Sequence, residues 1–279
     1  MKKIIVSVIT GSLILIGCGS SSKSNGETAV NVSEAKTVKE AEKNLNALGS
    51  FTSIDLSVAN LSDSKVLSSK LLSKLQKSKT VVCSDSGSIT LDISDDGRKL
   101  IYLFDKCQHG LTYTNGKLTL IRSDDNSFEI DFDKLTVRDI GGTQYMDTKM
   151  KFSEENSIST ISFDGVVNQT TTSGETNNMS MTNMVFKYQE TSVESWITID
   201  GKMALESKCV TGVYDFKTVE KLIEARDGSE NTESGILILN GATYTFENPH
   251  VTIEAGSESE TMLQSELERR MELSNTCNI

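Results

Sequence analysis

Few side chains in this sequence can do chemistry at neutral pH, and their spacing decides whether they can act together. The two imidazoles, His109 and His250, lie far apart in different contexts, whereas a general base works only with a partner within hydrogen-bond reach. His109 sits in a turn two residues after a cysteine and His250 follows Pro249, so both read as surface or capping residues. No GxSxG, HExxH, phosphate-binding glycine loop or dinucleotide fingerprint occurs. Asp92, Ser94, Asp96 and Gly97 imitate the opening of a calcium-binding loop, but that loop needs a bidentate Glu at its twelfth position, where Leu103 stands. Glu129, Asp131 and Asp133 alternate along one segment and would share a strand face. Three such carboxylates could hold a cation, but a wet strand face accounts for them without one. The expectation is no catalytic residue, no metal ligand and no cofactor.

The remaining reactive side chains are five cysteines, and the first has a distinctive setting. Residues 1–17 open with Met1-Lys2-Lys3, run on through an apolar stretch from Ile4 to Ile16, and contain no acid. That is the layout of an export signal, too short for the roughly 20 apolar residues of a membrane-spanning helix. The quartet Leu15-Ile16-Gly17-Cys18 resembles the lipobox of bacterial lipoproteins. The resemblance implies that the signal is cut before Cys18, that the Cys18 thiol carries diacylglycerol, and that the new amino terminus is acylated. Gly19, standing where family members retained in the inner membrane often carry Asp, implies an outer-membrane location facing the periplasm. Residues 18–32 then read as a flexible tether, Gly- and Ser-rich, with a reach of roughly 20 Å.

Removing residues 1–17 takes away Lys2 and Lys3 and no acid, so 26 basic side chains face 39 acidic ones and the formal charge falls from −11 to −13. Such a surface repels phosphate backbones, which excludes nucleic acid as a partner. The membrane, reached through the lipid, and an unspecified protein are the expected partners. With Cys18 spent on lipid, Cys83, Cys107, Cys209 and Cys277 remain, an even number in an oxidising compartment. Ile89, Leu91 and Ile93 alternate up to an Asp95-Asp96-Gly97 turn, and a second apolar run follows from Leu100 to Phe104. Closing that hairpin brings Cys83 opposite Cys107. Cys209 with Cys277 follows by elimination.

The elements that must position these residues are mostly strands. A single proline and abundant Ser and Thr suit sheets with one wet face. From Gly87 to about Ile253 the pattern has period two, broken at RSDDNS (122–127), IGGT (140–143), SEEN (153–156) and TTTSGETNN (170–178). Strands of about ten residues joined by short polar turns predict a mainly β fold: a long antiparallel meander, a curved sheet or half-barrel, with a few peripheral helices. Residues 33–279 form that β-rich domain, which divides naturally into similar halves at about 80–140 and 141–279. Helices are predicted at 34–48, with Thr37 and Glu40 at capping-box spacing, at 61–77, at 218–226 and at 258–273. Lys65, Lys70, Lys74, Lys77 and Lys79 make a basic stretch, read as a solvated helix face.

Asn-Gly or Asp-Gly recurs in TNGKLTL (114), FDGVVNQ (163), IDGKMAL (199) and LNGATYTF (239). Such pairs mark either tight hairpins or glycine bulges. For the first, which falls within a 12-residue interval between stronger turns, the bulge is preferred. The sequence thus predicts a non-enzymatic, lipid-anchored envelope protein with a structural or interaction role. The second reading is a carrier of an apolar ligand in a curved sheet, with Met179, Met181 and Met184 lining an adaptable wall.

Overall fold

A run that alternates apolar and polar side chains can bury one face only as a strand, and such runs fill most of this chain. The computed structural model describes residues 33–52, 78–124, 126–207, 211–226 and 231–274. The strands are β1 (Ser78–Val82), β2 (Ser86–Ile93), β3 (Lys99–His109), β4 (Thr112–Asp124), β5 (Ser127–Asp139), β6 (Gly142–Glu155) and β7 (Ile158–Thr171). They continue with β8 (Thr176–Glu190), β9 (Ser195–Glu206), β10 (Thr211–Glu224), β11 (Thr232–Leu239), β12 (Ala242–Glu247), β13 (His250–Ala255) and β14 (Glu258–Leu263). Each neighbours the next in one sheet, so sheet order follows chain order in an antiparallel meander that does not close. Two helices are described, α1 (Val38–Thr52) and α2 (Gln264–Ser274). The four turn clusters read from the sequence fall between β4 and β5, β5 and β6, β6 and β7, and β7 and β8.

Strict alternation over 13 or more residues would outrun the twist of a sheet, and this chain relieves it with bulges. On β5 the inward residues are Ile130 and Phe132, then Leu135; on β8 they are Met179 and Met181, then Met184 and Phe186. Each skip of three marks one extra residue, which keeps the apolar side chains on the same face. Lys134 and Leu135 together face Gly116 of β4, and Asn183 and Met184 face Gly201 of β9. A Cβ at Gly201 would lie 2.3 Å from the carbonyl oxygen of Asn183, and one at Gly116 would lie 2.4 Å from that of Lys134. The first three Gly motifs therefore lie inside strands, Gly116 and Gly201 opposite bulges. The fourth, Asn240-Gly241, is the hairpin turn between β11 and β12, both residues having φ > 0.

The described residues fall into two compact units. One is built on β1–β5, most of β6 and the second half of β7; its inward face carries Leu100, Leu118, Leu120, Ile130, Phe132, Met146 and Met150, all buried. The other comprises α1, the first half of β7, β8–β14 and α2. Here Leu237, Leu239, Ala242, Tyr244, Val251 and Ile253 are 0–1% exposed. Burying each large apolar side chain contributes about 1.5–3 kcal/mol. α1 lies over this face: Ala41 is fully buried, and the Tyr244 hydroxyl donates to the Ala41 carbonyl at 2.6 Å. Burial, then the nearby Glu42 carboxylate, push the Tyr244 phenol well above its ordinary pKa.

Thr37 caps α1, accepting the Glu40 N–H on Oγ1 at 3.2 Å, while Glu40 accepts the Lys36 N–H at 2.8 Å. Ala35, Val38, Ala41 and Leu45, three or four residues apart, are buried. Glu258 of β14 accepts the Val38 N–H at 3.0 Å, placing a negative charge at the positive end of the helix. Arg270 of α2 ties the elements together, donating to Glu42 of α1 (3.0 Å), Glu260 of β14 (2.8 Å) and Glu266 (3.0 Å).

Two helix expectations are corrected. Residues 218–226 do not form a helix: Thr218–Glu224 extend β10, with Leu222 and Ile223 opposite Ile197 and Trp196 of β9 and Glu220 opposite Ile236 of β11. Neighbouring strands on both sides supply more backbone bonds and packing than helix propensity could, so tertiary context wins. Thr218, read as a helix cap, instead exchanges hydrogen bonds with Ile199, donating from Oγ1 at 2.9 Å and accepting at 2.7 Å. Of residues 258–273, the first six form β14 and the helix starts only at Gln264. Ser259, Thr261 and Leu263 alternate with Glu260 and Met262 against β13, a period-two pattern that the abundant Glu obscures. The helix expected at 61–77 lies outside the described residues.

Candidate functional site

The carboxylates singled out on β5 are each matched by a lysine. Asp133 takes Lys117 of β4 at 2.7 Å, Glu129 takes Lys151 of β6 at 3.2 Å and Asp131 takes Lys149 of β6 at 4.0 Å. The hydrogen bond from Lys117 holds the Asp133 carboxyl below its usual range. This face is a cross-strand ladder of ion pairs, not a cluster of convergent carboxylates. The Asp96 region closes on itself: Asp96 accepts from Ser94 Oγ at 2.5 Å and from the Arg98 N–H at 3.1 Å, and the hydrogen bond from Ser94 leads in lowering its pKa. Among the described residues no three His, Cys, Asp or Glu side chains gather closely enough to hold a metal ion.

Chemically distinctive groups converge instead where β1, β2 and β3 meet. Cys83, just past β1, is bonded to Cys107 of β3, with Cα atoms 5.5 Å apart. Cys107 reaches the inward face because β3 carries its own bulge at Lys106, where φ is 49°. Beside the disulfide, Ser84 Oγ lies 2.7 Å from His109 Nδ1 and donates to Asp85 Oδ2 at 2.9 Å. Asp85 also accepts the Gly110 N–H at 2.6 Å, and that bond is the leading cause of its lowered pKa.

A serine beside a histidine raises the question of nucleophilic catalysis. In a catalytic pair the imidazole takes the serine proton while a carboxylate orients the imidazole. Here the carboxylate of Asp85 accepts from the serine hydroxyl rather than orienting the imidazole, so the order of a catalytic triad is not met. All three residues are exposed. The cluster pins the β1–β2 turn onto the β3–β4 turn and reinforces the disulfide. Sequence reading placed His109 beside this bridge but missed Ser84 and Asp85; the signal was their position directly after Cys83, which becomes informative only once β2 and β3 are paired.

Two surfaces frame this corner. The inward face of β2 and β3 presents Ile89, Leu91, Ile93, Tyr102 and Phe104, all half-buried, with the rings of Tyr102 and Phe104 stacked at 6.2 Å. β1 forms the end of the sheet, and all five of its residues are exposed, Val81 at 49% and Val82 at 79%. The backbone phase of β1 follows from one bond: Cys83 donates its N–H to Gly87 O at 3.0 Å. Lys79 and Val81, in the same phase and opposite Leu91 and Ile89, also bond towards β2. Ser78, Thr80 and Val82 point their N–H and C=O groups outward.

The other residues flagged in the sequence lie elsewhere. His250 opens β13 and is exposed. Met179, Met181 and Met184 are 1–2% exposed, packed with Met203 on the inward face of β8 and β9. Cys18, Cys209 and Cys277 lie outside the described residues. No protein-family model matches the chain, and no curated protein matches it either.

Proposed function

We propose that this chain is a lipid-anchored, non-enzymatic protein of the cell envelope, held at the outer membrane by lipid on Cys18 and facing the periplasm, whose sheet offers a surface to protein partners. The anchor rests on the likeness of Leu15-Ile16-Gly17-Cys18 to a lipobox. The observation that carries the rest is the Cys83–Cys107 bridge, which agrees with an exported, oxidised protein. The bridge braces the corner where β1, whose outer edge has no partner among the described residues, adjoins a half-buried apolar face. Intact-mass measurement of the native protein tests the anchor: a polypeptide starting at Cys18 and heavier by its acyl chains is expected. A chain that starts elsewhere with the bare polypeptide mass overturns it.

One observation favours the carrier reading: the half-buried apolar row on β2 and β3, with its stacked Tyr102–Phe104 pair, is the kind of surface that takes acyl chains or other apolar ligands. Lipid that co-purifies with the wild-type protein and is lost on Phe104→Asp would support it. A ligand-free wild-type protein would remove it.

A further inference from the structure

An open sheet has two terminal edges, and the edges here are treated differently. β14 carries Glu258 and Glu260, the first capping α1 and the second holding Arg270. Charges of this kind are a common guard against edge-to-edge pairing. β1 is guarded less: Ser78-Lys79-Thr80-Val81-Val82 contains no proline, no bulge against β2 and no acid, and beside its one charge, Lys79, it exposes two valines. Among the described residues nothing pairs with its outer side.

We propose that the outer edge of β1 pairs antiparallel with the same edge of a second copy of this chain, about a two-fold axis at Thr80. Self-complementarity selects that occupant. In the two-fold register Thr80 faces Thr80, Ser78 faces Val82 and Lys79 faces Val81. No like charges are opposed, and each copy covers the valines of the other. The backbone phase agrees, because Ser78, Thr80 and Val82 are the residues whose amide and carbonyl groups face outward. Each therefore sits at a hydrogen-bonded position of the new ladder, where opposed residues exchange both N–H···O bonds. A centre at Lys79 or Val81 would leave those groups unmatched. Within one copy the Thr80 hydroxyl is held by Thr90, Oγ1 to Oγ1 at 3.0 Å. The pairing of two copies does not depend on the lipid anchor.

Native mass spectrometry of the full chain released from detergent micelles tests it, since the protomer mass reads the anchor while the stoichiometry reads the pairing. Over a concentration series a dimer is expected. Thr80→Pro removes only an outward N–H, so it should leave β1–β2 pairing and the Cys83–Cys107 bridge in place while weakening the dimer at least about tenfold. Thr80→Lys, which sets two ammonium groups opposite each other at the axis, should do the same without a proline. Thr90→Val removes the same hydroxyl contact within one copy and should remain dimeric. A wild-type chain that is monomeric throughout, or a dimer that neither Thr80 variant weakens, overturns the proposal.

Discussion

At β11–β13 the inward side chains are 0–1% exposed beneath α1, whereas on β2 and β3 most matching positions, Ile89, Leu91, Ile93, Tyr102 and Phe104, are only half-buried, with Leu100 and Cys107 the buried ones. The first region is held by side-chain packing, by the Tyr244–Ala41 hydrogen bond and by Arg270 with its three carboxylates. The second is held by a disulfide and by the Ser84–Asp85–His109 cluster. A covalent strap restrains a corner without covering its apolar face, and so leaves that face and the neighbouring edge available. Regions with few buried contacts open most readily, and binding surfaces are drawn from them.

Substitutions should separate the two regions by size of effect. Tyr244→Ala should cost about 3–5 kcal/mol in urea unfolding, as expected for a fully buried aromatic. Phe104→Ala, at a half-covered site, should cost well under half of that; equal costs would erase the distinction. Replacing Cys83 and Cys107 together by Ser should cost about 3 kcal/mol for a loop of this length. Reductant should destabilise the wild-type protein to the same degree, with the loss centred on β1–β3. Gly116→Ala and Gly201→Ala should each cost about 2 kcal/mol, because both positions have φ near 120° and face a carbonyl too closely for a Cβ. Similar values at both would show that the bulge is a device common to the two regions.

The smallest effect is the response to acid. Hydrogen bonds from Arg269 and then Arg270 lower the Glu266 pKa from the ordinary 4.5 to about 2. A carboxyl depressed by folding contributes stability that is fully present above its unfolded pKa and is lost as pH falls through the folded value. Melting temperature should therefore decline between about pH 4.5 and pH 2, and Glu266→Gln should flatten part of that decline.

Much of the fold was legible in the sequence because alternation and turn chemistry are local signals. The Asp95-Asp96-Gly97 turn, the Cys83–Cys107 pairing and the Thr37 cap all follow from residues close in the chain. The skip from Met181 to Met184 carried the signal of a bulge that the period-two reading passed over, since only an extra residue keeps both side chains on one face. What misled was the stretch from Thr218 to Arg226, where Glu, Lys, Leu and Ala favour a helix but strands β9 and β11 claim both backbone edges. The Lys partners of Glu129, Asp131 and Asp133 were hidden for a related reason: pairing across strands depends on register, and bulges shift register by one residue at a time. The outward phase of Thr80 likewise emerges only from the single bond between Cys83 and Gly87.

Amide hydrogen exchange on the full chain, measured at low and high protein concentration, tests the contrast between the two regions most directly. The account predicts slow exchange in β12 and β13 at both concentrations, moderate protection of Val81 and Cys83, and protection of Thr80 and Val82 that grows with concentration. Uniform protection along β1 at every dilution, or β12 and β13 exchanging as fast as β1, would contradict it.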